Sequence, residues 1–114
     1  MDHDAAMDSI FHALADNTRR RILSRIAGGP ATVGEIAEPF SLTLAAVSKH
    51  IQVLEAAGLV RKERAGRQFV CSLEIRPLEQ ADAVIRELST FWESRLDELS
   101  EFLSNDRTDE GTDG

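Results

Sequence analysis

Residues Ser41–Gly58, SLTLAAVSKHIQVLEAAG, are the stretch whose reading decides the fold. A helix beginning after Thr43 puts Leu44, Val47, Ile51 and Leu54 on one stripe, at steps of three, four and three. The other side then carries Ala45, Ser48, Lys49 and Gln52, with no acid among them. Thr43 supplies an N-cap oxygen, and Gly58 ends the helix as its C′ residue. A small, cationic and amide-bearing face can enter a DNA major groove. Nothing on it repels phosphate, and Lys49 and Gln52 reach far enough for base edges.

Working outward, Thr32-x-x-Glu35 forms a capping box ahead of Ile36 and Ala37, so a short helix precedes the quoted one and Pro39 ends it. Phe40, Ser41 and Leu42 make the turn between them. Two helices joined by so short a turn, the second polar on its outer side, form a helix-turn-helix pattern. Two extended runs follow, 59–64 and 68–73, around Ala65-Gly66-Arg67, where Gly66 permits the positive φ of a tight hairpin. Phe69, Cys71 and Leu73 alternate to one side, expected to be inward. The hairpin carries Arg61, Lys62, Arg64 and Arg67 near its tip, and its cations suit a phosphate strand or the minor groove.

Upstream, residues 8–15 read as a first helix with Met7, Ile10, Phe11 and Leu14 on one face. Asp16 caps a second helix, NTRRRILSRIA, with Ile22, Leu23 and Ile26 inward and a Gly-Gly-Pro stop. Downstream, Pro77 opens a last helix to about Ser104. Its apolar positions Leu78, Ala81, Ile85, Leu88, Trp92, Leu96, Leu99 and Leu103 recur at steps of three and four. A helix of that length runs about 40 Å. So small a domain cannot cover it, and a second copy of the chain is expected to bury part of the stripe.

The 114 residues suffice for one domain, and the net charge of −7 is unevenly distributed. Residues 17–73 hold nine Lys or Arg against four acids, whereas residues 76–114 hold four against eleven. The middle of the chain is therefore basic enough to face phosphate. The expected organisation is a DNA-binding and dimerisation domain over residues 1–104 and a disordered acidic tail over 105–114. A single cysteine excludes an intrachain disulfide and fits a reducing compartment. No apolar run approaches the length of a membrane span, and the acidic MDHDAAMDS start lacks the basic region of a secretory signal, so a cytoplasmic location is expected. No Ser/His/Asp or Cys/His set and no glycine-rich phosphate loop points to an enzyme.

With these segments in hand, the chain resembles the ArsR family of winged helix-turn-helix transcriptional repressors. The resemblance lies in ALADNTRRRIL, TVGEIAEPF, SLTLAAVSKHIQVLEAAGLV and the wing RKERAGRQFVCSL, and FWESRLDEL extends it along the last helix. Asn17 and Ala45 stand where relatives often have proline. The resemblance implies a mainly α fold with a small β-hairpin: four helices, two wing strands and a fifth helix, paired as a homodimer through the first and last helices. On that basis Ile10, Phe11, Leu14, Leu88, Trp92 and Leu99 are expected at the dimer interface. Thr43, Ser48, Lys49 and Gln52 are expected in the major groove, Arg64 and Arg67 on the wing, and Arg19 at a phosphate. His50 either touches DNA or hydrogen-bonds within the domain; the sequence leaves both open.

Metal sensors of the family use cysteine pairs on the third helix or His and acid clusters on the last. Here the third helix has no Cys and the last helix no His, which resembles the branch that does not sense metal, with no cofactor. The expected function is repression by a homodimer on an inverted-repeat operator. Its rival, favoured by the net acidity, is a winged-helix protein-interaction module that does not bind DNA.

Overall fold

The computed structural model describes the backbone of residues 2–113 and the side chains of residues 5–104. The elements are α1 (Asp2–Leu14), α2 (Asn17–Ala27), β1 (Ala31–Thr32), α3 (Val33–Ala37), α4 (Leu44–Ala56), β2 (Val60–Ala65), β3 (Gln68–Leu73) and α5 (Ile75–Asp113). The chain divides into two compact units, Met1–Ala81 and Asp82–Gly114.

Within the first unit α2, α3 and α4 each start on a side chain that satisfies an otherwise orphaned backbone N–H. Asp16 Oδ2 accepts from the Arg19 N–H at 3.1 Å. Thr32 Oγ1 accepts from the Glu35 N–H at 3.1 Å, and Glu35 Oε1 accepts from the Thr32 N–H at 2.8 Å, completing the capping box. Thr43 Oγ1 accepts from the Ala46 N–H at 3.1 Å. At the far end of α4, Gly58 takes φ +78°, which lets the Gly58 N–H reach Glu55 O and the Leu59 N–H reach Leu54 O. These two bonds make a Schellman ending and turn the chain directly into β2.

The core joins Ile22, Leu23 and Ile26 of α2, Ile36 of α3, Val47, Ile51 and Leu54 of α4, Leu59 at the α4 ending, and Val60 and Cys71 of the hairpin. Truncating one such Leu or Ile to Ala typically costs 2–5 kcal/mol. That is a large share of the roughly 5–15 kcal/mol by which a domain is stable. The rotation of α4 about its axis is thereby fixed, and Ala45, Lys49 and Gln52 are held facing outward.

Several expectations need correction. The first helix starts at Asp2 and ends at Leu14, not at Asp8 and Ala15. Leu44 leaves the inward stripe and is 57% exposed, because at the first position of α4 it lies beyond the reach of the core. Leu59 belongs to the helix ending, so the first wing strand begins at Val60. Phe69 is also 43% exposed: only Cys71 is fully buried on its strand, since the hairpin projects past the core toward its tip. A third strand, β1, was not foreseen. It pairs antiparallel with β3 through Ala31↔Cys71 and Thr32↔Val70, giving the order β1-β3-β2. Two residues show no periodicity, so only the partner strand reveals them.

α5 begins at Ile75 with Pro77 inside its first turn, where a missing N–H costs nothing. Leu78 packs on the core and Ala81 is buried. Among the described residues of the second unit only Val84 is not exposed. The expected disordered tail, residues 105–114, lies outside the described side chains.

Candidate nucleic-acid interface

The register of the hairpin determines what its cations face. Lys62 stands opposite Cys71 and Arg64 opposite Phe69, so Lys62 and Arg64 share the inner side of the wing. Arg61, on the other side, pairs outward with Glu74 at 3.0 Å and Glu63 at 3.4 Å. The turn is two residues long. Gly66, at φ +67°, occupies its first position, where a type II′ turn requires glycine. Arg64 Nε donates to Gly66 O at 3.1 Å and braces the tip.

Between the wing, α4 and the start of α3 runs a groove of about 430 Å³. Leu44, Ser48 and Gln52 form its α4 side, at successive steps of four, and Lys62, Arg67, Gln68 and Phe69 form its wing side. Lys62 Nζ lies 5.1 Å from the centre of the Phe69 ring and 3.9 Å from Glu55 Oε1. The ring and the carboxylate hold this ammonium at the groove wall. The groove therefore combines hydrogen-bonding side chains with two cations, the pairing that reads bases and holds a phosphate strand.

The expected site residues separate into two groups. Ser48, Gln52 and Arg67 meet in the groove; Thr43 and Lys49 are exposed on α4, and Arg64 is exposed near the wing tip. The Thr43 hydroxyl already caps α4. Arg19 and His50 lie elsewhere. Arg19 Nε donates to Ala13 O at 2.8 Å and its Nη2 to His12 O at 2.9 Å, while Arg20 Nη1 donates to Leu14 O at 2.8 Å. The two arginines thus satisfy the carbonyls that end α1, a favourable place for cations. The phosphate role expected of Arg19 would have to compete with these bonds. His50 Nδ1 is 3.4 Å from Arg19 Nη1 and 3.8 Å from Asp16 Oδ2, which favours the intradomain alternative for His50. The N–H of Arg19 holds the Asp16 carboxyl below its usual range, with His50 and the Arg19 charge adding to the effect.

Lys62, Phe69 and Leu44 line the groove, whereas the sequence places Lys62 only among the hairpin cations and sets Phe69 and Leu44 inward. Strand alternation held the signal for the first two, since a residue sharing Arg64's face shares its environment. Arg21 packs its guanidinium 4.6 Å from the Phe40 ring, tying α2 to the turn of the helix-turn-helix.

A description of the helix-turn-helix domain matches residues 14–63. The HTH-type transcriptional regulator Rv2034 of Mycobacterium tuberculosis is 36% identical over 102 residues, spanning 90% of this chain and 92% of its own. A solved ArsR family transcriptional regulator, RHA00566, is 42% identical with a TM-score of 0.75, over 80% of this chain and 94% of its own. The chain belongs to the ArsR family of winged helix-turn-helix transcriptional regulators.

ArsR proteins are DNA-binding regulators and not enzymes, which agrees with the absence of catalytic motifs from the sequence. The transcriptional repressor SdpR of Bacillus subtilis is 35% identical over 75 residues, covering 66% of this chain and 83% of its own. Among the described residues of this ArsR chain, no group of three or more His, Cys, Asp or Glu side chains could hold a metal ion. No described helix is long and apolar enough to cross a membrane.

Proposed function

We propose that this ArsR protein is a homodimeric repressor that occupies an inverted-repeat operator and blocks transcription there. The observation that carries the reading is the groove itself: the acid-free row of α4 faces Lys62 and Arg67 of the wing. In this reading α4 lies in the major groove, with Ser48, Lys49 and Gln52 at base edges and Thr43 at the helix start. Arg64 and Arg67 hold the wing over the backbone or minor groove. The name of SdpR as a repressor supports the direction of regulation.

Dimerisation is supported by α5, whose Ile85, Leu88, Phe91, Trp92, Leu96, Leu99, Phe102 and Leu103 are 49–67% exposed. A row this long and apolar is costly in water, and a second copy supplies a matching one. Phe11 and Leu14 of α1, both half-buried, extend the proposed contact; Ile10 is already buried within one chain and adds little. Two α4 helices related by a dimer axis reach half-sites roughly 34 Å apart, or a multiple of that.

We place the protein in the branch that does not sense metal. His50 is engaged with Asp16 and Arg19, and burial pushes the Cys71 thiol up, away from the thiolate a metal needs.

The test is an electrophoretic mobility shift on the DNA upstream of the protein's own gene. A specific complex, weakened on the order of 1–3 kcal/mol by Gln52→Ala, is the expected result. Failure to shift any DNA at low salt would overturn the reading.

A further inference from the structure

Leu44 is an apolar side chain in a place where the fold has no use for it. It is the first residue of α4, 57% exposed, and lines the groove in register with Ser48 and Gln52. The core takes its apolar stripe from Val47, Ile51 and Leu54 and leaves Leu44 out. At the mouth of a DNA-reading groove the three side chains present three different chemistries along one line. Leucine offers only apolar surface, serine a small hydroxyl and glutamine a two-sided amide.

Of the four bases only thymine presents a methyl group in the major groove, while adenine offers the donor and acceptor that a Gln amide matches. We infer that Leu44 is a specificity-determining residue of the operator, closing on the C5-methyl of a thymine in each half-site while Gln52 takes an adenine further along. The inference rests on the proposed DNA-binding face and adds a spacing to it. Leu44 and Gln52 are eight residues apart, about 12 Å along a helix. At 3.4 Å per base step along the duplex axis, this separates the two bases by at most about three or four base pairs, fewer where α4 inclines to that axis. Lys62 and Arg67, across the groove, hold the backbone and are indifferent to the base.

The experiment selects half-sites from randomised duplex DNA with the full chain. Each thymine of the selected site is then replaced in turn by deoxyuridine, which keeps the base pair and removes only the methyl. Parent and Leu44→Ala are compared by fluorescence anisotropy. Leu44 is exposed, so this variant keeps its fold. The parent is expected to lose about fourfold in affinity at one thymine per half-site, the worth of one buried methyl. Leu44→Ala is expected to be indifferent to uracil at that position and nowhere else altered, and the adenine on which Gln52→Ala loses discrimination should lie within four pairs of it. A selected half-site without thymine, or a uracil penalty that persists in Leu44→Ala, overturns the role of Leu44 and leaves DNA reading by α4 intact. Selection of no sequence above random DNA overturns the DNA-reading face, and the inference with it.

Discussion

Arg19→Ala separates a structural arginine from a phosphate-binding one. The guanidinium donates to Ala13 O at 2.8 Å in a partly buried setting and to His12 O at 2.9 Å in an exposed one. A hydrogen bond from a charged donor contributes about 1.5–3 kcal/mol where water is excluded and much less where it is not. Taking about 1.5 for the partly buried bond and about 0.5 for the exposed one, the variant should lose roughly 2 kcal/mol. With a urea slope of about 2 kcal/mol/M, the unfolding midpoint falls by about 1 M. The comparison is made at one protein concentration, because assembly shifts apparent stability. Operator binding by the fraction that stays folded should keep the parental dependence on salt. Arg67→Ala is the counterpart: its side chain is exposed in the groove, so the midpoint should stay and the slope of log K against log salt should flatten by about 0.9, one phosphate's worth. The reasoning is refuted if Arg19→Ala unfolds at the parental urea concentration yet flattens the salt slope.

Leu88→Glu combined with Trp92→Glu, at two positions more than half exposed on α5, should yield monomers by analytical sedimentation and a collapse of operator affinity; a dimer of unchanged mass would show that another surface assembles the protein. Zinc, cadmium or a chelator at constant ionic strength should leave operator affinity within about threefold, roughly 0.7 kcal/mol, in an anisotropy titration, and a tenfold shift abolished by changing Cys71 or a histidine would reveal a metal site. Asp16 has its pKa lowered by folding, so the stability it contributes is full above the ordinary carboxylate range and is lost as pH falls through and below it. Between about pH 5 and pH 3 the urea midpoint of Asp16→Asn should therefore fall less than that of the parent, and parallel losses would remove Asp16 from the acid response.

What the sequence determined by itself about this ArsR chain is whatever depends on neighbours three or four residues away. Asp16, Thr32 with Glu35, and Thr43 each cap the helix they precede, and Gly58 ends α4, because those bonds close within one turn. The stripes of Ile22, Leu23 and Ile26, and of Val47, Ile51 and Leu54, were legible for the same reason, since a period of 3.6 is a local property. Gly66 marked the wing turn through its own φ. Tertiary structure decided the rest, because it depends on which distant groups arrive at the same place. β1 exists only as the partner of β3, some forty residues away. Arg19 looked free to meet a phosphate, and only the approach of α1's final carbonyls and of His50, thirty-one residues on, assigns its donors. Leu44 satisfied the apolar period and still lies outside the core, because the core ends before the first turn of α4 does. The groove belongs to no single segment. It forms where the wing register sets Lys62, Phe69 and Arg67 across from Leu44, Ser48 and Gln52, a juxtaposition that periodicity along one helix or strand cannot encode.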